Sequence, residues 1–242
     1  MNIQNNYKSP QFTSRLNPIP PSIIKTKYGD LTLQEITKSE MKSKNFLEEL
    51  AKFFCKNFAS NTNDPSWLEY NNVSKHVKNL REKSISNYFK SIFKHDDGNM
   101  TLLLAKDNHN KIQGACLSLG YNLVEGIEKC TLYLDSIAVN REFRGFNIGK
   151  TMMQKTISAN SKASSKFTDI FLVGEKKARK FYDKLGFSSL DNNDKDQQKV
   201  AKVIQLDRQD YPDYVDFLNL PLKKDEPRWY SKAAKIIKDE WF

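Results

Sequence analysis

The chain has 242 residues, 12% of them aromatic and 28% charged, with a formal net charge of +10. That length favours one domain with extensions over two full domains, and so many aromatics exclude a wholly disordered chain. There is no apolar run long enough for a transmembrane helix, no apolar segment of a secretory signal after Met1, and no metal-ligand spacing among Cys55, Cys116, Cys130, His76, His95 and His109, so we expect a cytoplasmic chain with free thiols, no metal and no membrane association.

Along the chain, Pro10, Pro18, Pro20 and Pro21 lie among Asn, Gln and Ser, so residues 1–27 read as a mobile, extended arm. Residues 31–36 alternate at period two and predict a first strand. Phe46, Leu47, Leu50, Phe54 and Phe58 share one helical face. After a loop at 60–65, Val73, Val77, Leu80, Tyr88, Phe89 and Ile92 predict a second amphipathic helix. Its polar face carries Lys75, Lys78, Arg81, Lys83 and Lys90, a solvated face or one that touches RNA or an acidic protein. Strands are expected at 101–106, 112–121, 131–139 and 168–173. A helix from Gly149 to about residue 158 separates the last two, with Met152, Met153 and Ile157 as its buried stripe. Ala178, Phe181, Tyr182 and Leu185 give another helix, and a sixth strand is expected at 200–206. The tail from 207 is too aromatic for a linker, with Tyr211, Tyr214, Phe217, Trp229 and Trp241, so it should pack on the domain, over an acceptor cleft or in a homodimer. This order predicts a mixed α/β layer architecture.

The segment 134–150, LDSIAVNREFRGFNIGK, runs from a buried strand through a short loop with basic residues and glycines into a helix. The first N–H groups of a helix lack intrahelical partners and the dipole places positive potential there, so this is a recipe for an anion site. The spacing fits neither the GxxxxGK[ST] loop nor a GxGxxG turn. Without further context it is equally a helix start with a glycine-containing turn.

This segment resembles the pyrophosphate motif of the GNAT superfamily of acyl-CoA N-acyltransferases, which is Val or Ile, four residues, then Gln/Arg-x-x-Gly-x-Gly/Ala. Val139, Arg144 and Gly149 hold those positions, and Asn147 replaces the first Gly of the motif. Asn is the residue other than Gly that best tolerates positive φ. Residues 178–187, ARKFYDKLGF, resemble a second stretch of the same family, A-x-x-F/L-Y-x-K-L-G-F. Three residues before Ala178 the family often has Asn, and here stands Glu175. The resemblance covers roughly residues 28–206.

It implies a GNAT fold: a central, mostly antiparallel mixed sheet, splayed between its fourth and fifth strands and flanked by helices. It also implies acetyl-CoA as cosubstrate, its pantetheine arm lying in the splay beside Ile137, Ala138 and Val139. Arg144, Gly145, Phe146, Asn147, Ile148, Gly149 and Lys150 would wrap the diphosphate, and an acceptor amine would attack the thioester directly. Tyr182 would protonate the departing thiolate; by spacing alone it is a core aromatic beside Phe181. Asp135 is a candidate general base, or a strand carboxylate paired locally. By parity Asp135, Ile137 and Tyr133 should share one sheet face, Tyr133 then being placed to relay a proton. Trp67, Glu69 and Tyr70, with Asp64, would form the acceptor rim or an ordinary surface loop. Cys116 and Cys130 read as inert buried thiols, because no histidine is placed to activate them.

The expected function is acetyl transfer to a primary amine, on an acceptor that the positive charge tilts toward an acidic macromolecule. The alternatives are a non-catalytic CoA-binding or interaction module on the same fold and a nucleic-acid binder using the basic helix.

Overall fold

The computed structural model describes residues 18–58, 73–95, 100–122, 130–163, 167–190 and 215–221. Its strands are β1 (Ser22–Ile24), β2 (Leu31–Glu35), β3 (Met100–Lys106), β4 (Ile112–Asn122), β5 (Cys130–Val139), β6 (Phe167–Glu175), β7 (Ser188–Ser189) and β8 (Val215–Pro221). The helices are α1 (Lys38–Met41), α2 (Lys44–Phe58), α3 (Lys75–His95), α4 (Ile148–Ala163) and α5 (Arg179–Lys184). The strands form one sheet in the order β1-β2-β3-β4-β5-β6-β8-β7, in which only the β5–β6 pair is parallel.

The continuous apolar run Leu102, Leu103, Leu104 and Ala105 in β3 is wholly buried, as a strand covered on both faces must be. One face holds Leu33, Leu103, Cys116, Leu134, Ile148, Met152, Met153 and Leu172, under α4 and α5. The other holds Leu50, Phe54, Phe89, Leu102, Leu104 and Leu117, under α2 and α3. The expected α/β sandwich of helices about a mostly antiparallel sheet is therefore present.

Three features differ from the expectation. Ser22–Ile24, inside the stretch read as an arm, pairs with β2, because Ile19 and Ile24 are buried and need a wall. Val215–Pro221, in the stretch read as an extension, is a sheet strand between β6 and β7, with Phe217, Leu218 and Leu220 buried. In α3 the residues packed on the core are Ile85, Phe89, Ile92 and Phe93, while Leu80 (54%) and Tyr88 (48%) remain exposed. The helix has 21 residues and is about 31 Å long. The strand expected at 200–206 lies outside the described residues.

Candidate active site

The parallel pairing of β5 with β6 stops at Leu134↔Leu172, yet β5 continues to Val139 and β6 to Glu175. The expected splay is this fork. Past it, Ile137, Ala138 and Val139 line a cleft of about 510 Å³ together with Arg144, Gly145, Asn147, Ile148, Gly149 and Lys150 from the loop and Ala178, Phe181 and Tyr182 from the far side.

The loop is held from beneath. The Asn140 amide nitrogen donates to the Gln113 carbonyl at 2.8 Å, Asn140 Nδ2 donates to Gln113 Oε1 at 2.6 Å, and Gln113 Nε2 donates to Asp107 Oδ2 at 2.7 Å. Phe143 is buried, and Tyr28 meets Phe143 and Phe146 edge-on at 5.3 and 6.0 Å. The Phe146 side chain thus packs under the loop and does not line the cleft. Gly145 (φ +88°) and Asn147 (φ +58°) both sit in the left-handed region, so Asn147 does adopt the conformation its residue type tolerates. The Asn147 carbonyl accepts from the Thr151 N–H at 2.8 Å and starts α4. The first N–H groups of α4 consequently face the loop without intrahelical acceptors. Arg144 Nε donates to the Val139 carbonyl at 3.1 Å. Burial, with the neighbouring Arg141, lowers the Arg144 pKa against the opposing pull of Glu175. A burial-raised carboxyl at Glu175, itself eased by Lys177 and Arg144, therefore stands within electrostatic range of the loop.

Tyr182 is only 6% exposed and packs edge-on against Phe181 (5.1 Å) and Phe187 (5.8 Å). Burial, followed by Cys116 and Glu175, raises its pKa, so the phenol holds its proton. Gly174 makes room for the ring: a Cβ there would lie 2.8 Å from Tyr182 Cε2 and 3.0 Å from Leu172 Cδ1. Gly174→Ala should therefore displace the ring and cost about 1–3 kcal/mol of stability. Calorimetric melting checks this, and an unchanged melting temperature would mean that the site absorbs the methyl.

Asp135 sits where the β4–β5 register slips: Leu117 pairs Ser136, Ser118 pairs Leu134, and Asp135 is the extra residue. This bulge corrects the parity expectation. Ile137 faces α4 with Cys116, whereas Asp135 turns to α3, where it accepts from the Tyr88 hydroxyl. Burial raises the Asp135 pKa, and the hydrogen bonds from Tyr88 and Ser136 work against that rise. Tyr133, opposite Leu119, lies on this same α3-side face. Tyr182 and Asp135 thus flank the fork from opposite faces of the sheet. Trp67, Glu69, Tyr70 and Asp64 lie outside the described residues.

Cys116 is fully buried near Thr156 Oγ1, and burial pushes its thiol up to about 12, so it is no nucleophile. Sequence reasoning missed Asn57, which lines the cleft from the end of α2 and donates to the Phe53 carbonyl at 2.8 Å. It also missed Tyr88, counted there as an apolar-face residue. Neither has a spacing signal, since both depend on how helices cross the sheet.

A model of the acetyltransferase (GNAT) family matches residues 64–187. No curated protein matches the chain. Among solved structures, PH1933 from Pyrococcus horikoshii OT3 is similar at 17% identity, with a TM-score of 0.52 over 79% of this chain and 98% of that one. A chain of the NatC complex bound to Gag peptide and CoA is similar at 14% identity, with a TM-score of 0.52 over 80% of this chain and 99% of its own. At these identities the likeness is one of fold.

Proposed function

The chain belongs to the acetyltransferase (GNAT) family, and from that premise we propose that it transfers an acetyl group from acetyl-CoA to a primary amine by direct attack within a ternary complex. The observation that carries this reading is the β6-side edge of β5, which no described strand pairs beyond Leu134 and which runs straight into the loop at the start of α4. An extended amide-bearing arm fits beside Ile137–Val139 in place of the missing strand. A diphosphate fits at the α4 N-terminus, among main-chain N–H groups and the Arg144 and Lys150 side chains.

Held there, the thioester and the amine meet in one cleft, so a bimolecular reaction becomes nearly unimolecular. The amine forms its bond to the acyl carbon as the C–S bond breaks. Tyr182, protonated by its burial, gives its proton to the departing sulfur, and Asp135 takes a proton from the amine side. The test is thiol release from acetyl-CoA across a panel of amines, with mass detection of the acetylated product. Release that no amine stimulates would remove the transfer reading.

One observation favours the non-catalytic alternative. Glu175 places negative charge near Arg144, where an incoming diphosphate needs positive charge. Glu175→Gln should accordingly tighten CoA binding by roughly three- to tenfold at neutral pH. Wild-type affinity should rise as pH falls and Glu175 is protonated, while the variant's stays flat. Calorimetric titration at two pH values measures both; equal affinities of wild type and variant would acquit Glu175.

A further inference from the structure

Tyr88 on α3, Asp135 in the β5 bulge and Ser136 beside it form a chain of hydrogen bonds reaching from solvent to the fork. The Tyr88 hydroxyl donates to Asp135 Oδ1, and Ser136 Oγ donates to Oδ2 at 2.7 Å. Both carboxylate oxygens are therefore engaged. The bulge makes this possible, because it brings the side chains of consecutive residues to one face. The two ends of the chain differ in access: the carboxyl is withdrawn enough for burial to dominate its titration, while Tyr88 is 48% exposed. With both carboxylate oxygens engaged, the group beside them that can still exchange a proton is the phenol, since a hydroxyl both donates and accepts.

Building on the amine-transfer reading above, we propose that Tyr88 is the group the acceptor amine touches, and that it relays the amine's proton to Asp135. As nitrogen bonds to the acyl carbon, its N–H bond breaks and the electron pair stays on nitrogen. That proton forms a new O–H bond on Tyr88 Oη, and the original Tyr88 O–H bond breaks to place its proton on Asp135 Oδ1. Tyr88 ends as a neutral phenol and Asp135 as a neutral acid, which returns the proton to solvent by the same path. The step needs no co-reactant beyond amine and thioester.

The groups acting on the Asp135 carboxyl are the Tyr88 phenol from α3 and the Ser136 hydroxyl from β5, with the Tyr133 phenol further along the same face. From β4, Leu117 and Ser118 lie opposite the bulge. Its shift is set by burial and these two hydroxyl donors, with no charged side chain of the described residues among the causes.

The first experiment needs no acceptor. Carboxyl-carbon NMR titration of Asp135 in the full chain should move upward by roughly half a pH unit or more in Tyr88→Phe, because a donor to the charged form is lost. An unmoved titration overturns the proposal. The second follows thiol release from acetyl-CoA across pH, with spermidine and a short peptide bearing a free N-terminus as amine probes. Tyr88→Phe should lower plateau kcat about tenfold or more and shift the acidic limb upward. A shifted limb with an unchanged plateau makes Tyr88 a positioning residue and overturns the relay. Asp135→Asn separates the two levels: full activity there removes the base itself, whereas a slow Asp135→Asn beside an unaffected Tyr88→Phe removes only the relay. Tyr88→Phe retains the ring that packs on Phe89 at 5.7 Å, so an unchanged melting temperature certifies its fold.

Discussion

Tyr182→Phe should lower the single-turnover rate of thiol release from acetyl-CoA by about a hundredfold, with CoA affinity nearly unchanged. The variant removes one oxygen and leaves the ring where Phe181, Phe187 and the bare Gly174 backbone confine it. Binding in the cleft should therefore survive, with only the proposed proton donor lost. A free thiol has a pKa of about 8.5, so a thiolate expelled at neutral pH gains from immediate protonation. The Tyr182 phenol, raised by burial, is still protonated then. The sign of the pH dependence follows: wild-type activity should show no alkaline limb from this group below the ordinary phenol range. Stopped-flow thiol detection decides the matter. An unchanged single-turnover rate would reduce Tyr182 to a core aromatic, which its spacing allows equally.

Arg144→Glu should weaken CoA binding by about a hundredfold or more, since like-charge juxtaposition at a partly desolvated contact costs several kcal/mol. The substitution removes the guanidinium that donates to the Val139 carbonyl and adds a second carboxylate near Glu175. Lys38→Glu on α1, which is not among the residues lining the cleft, is the control for a general change in net charge. Calorimetric titration of both variants with CoA gives the comparison. Equal losses would make the effect long-range charge and deprive the loop of its role.

The parts of the fold that were legible are those fixed by short-range chemistry. The four leucine and alanine positions of β3 and the Met152–Met153 stripe of α4 follow from period and apolarity alone. The loop from Arg144 to Asn147 was legible because positive φ restricts residue choice to a few types, and Gly145 and Asn147 are among them. What escaped is set by tertiary pairing. The Asp135 bulge leaves no mark in composition, yet one extra residue reverses the face of every side chain beyond it, which is why Ile137 and Asp135 part company. Tyr88 looks apolar in a helical pattern, and only the crossing of α3 over the β5 bulge brings its hydroxyl to the Asp135 carboxylate. β8 was hidden in a proline-bearing aromatic stretch because its partner β6 lies far upstream in sequence.

That last strand has a bearing on how the protein is made. β8 inserts between β6 and β7 and arrives after both in synthesis. A nascent chain lacking Val215–Pro221 therefore presents β6 with a bare hydrogen-bonding edge, a template for stray neighbours as well as for its own missing piece. The wall of the fork that carries Gly174 and Glu175 is braced from outside only when these late residues snap into register. The outer wall of the fork is thus completed only once β8 has been made, and chaperone attention to this chain should concentrate on the interval before it.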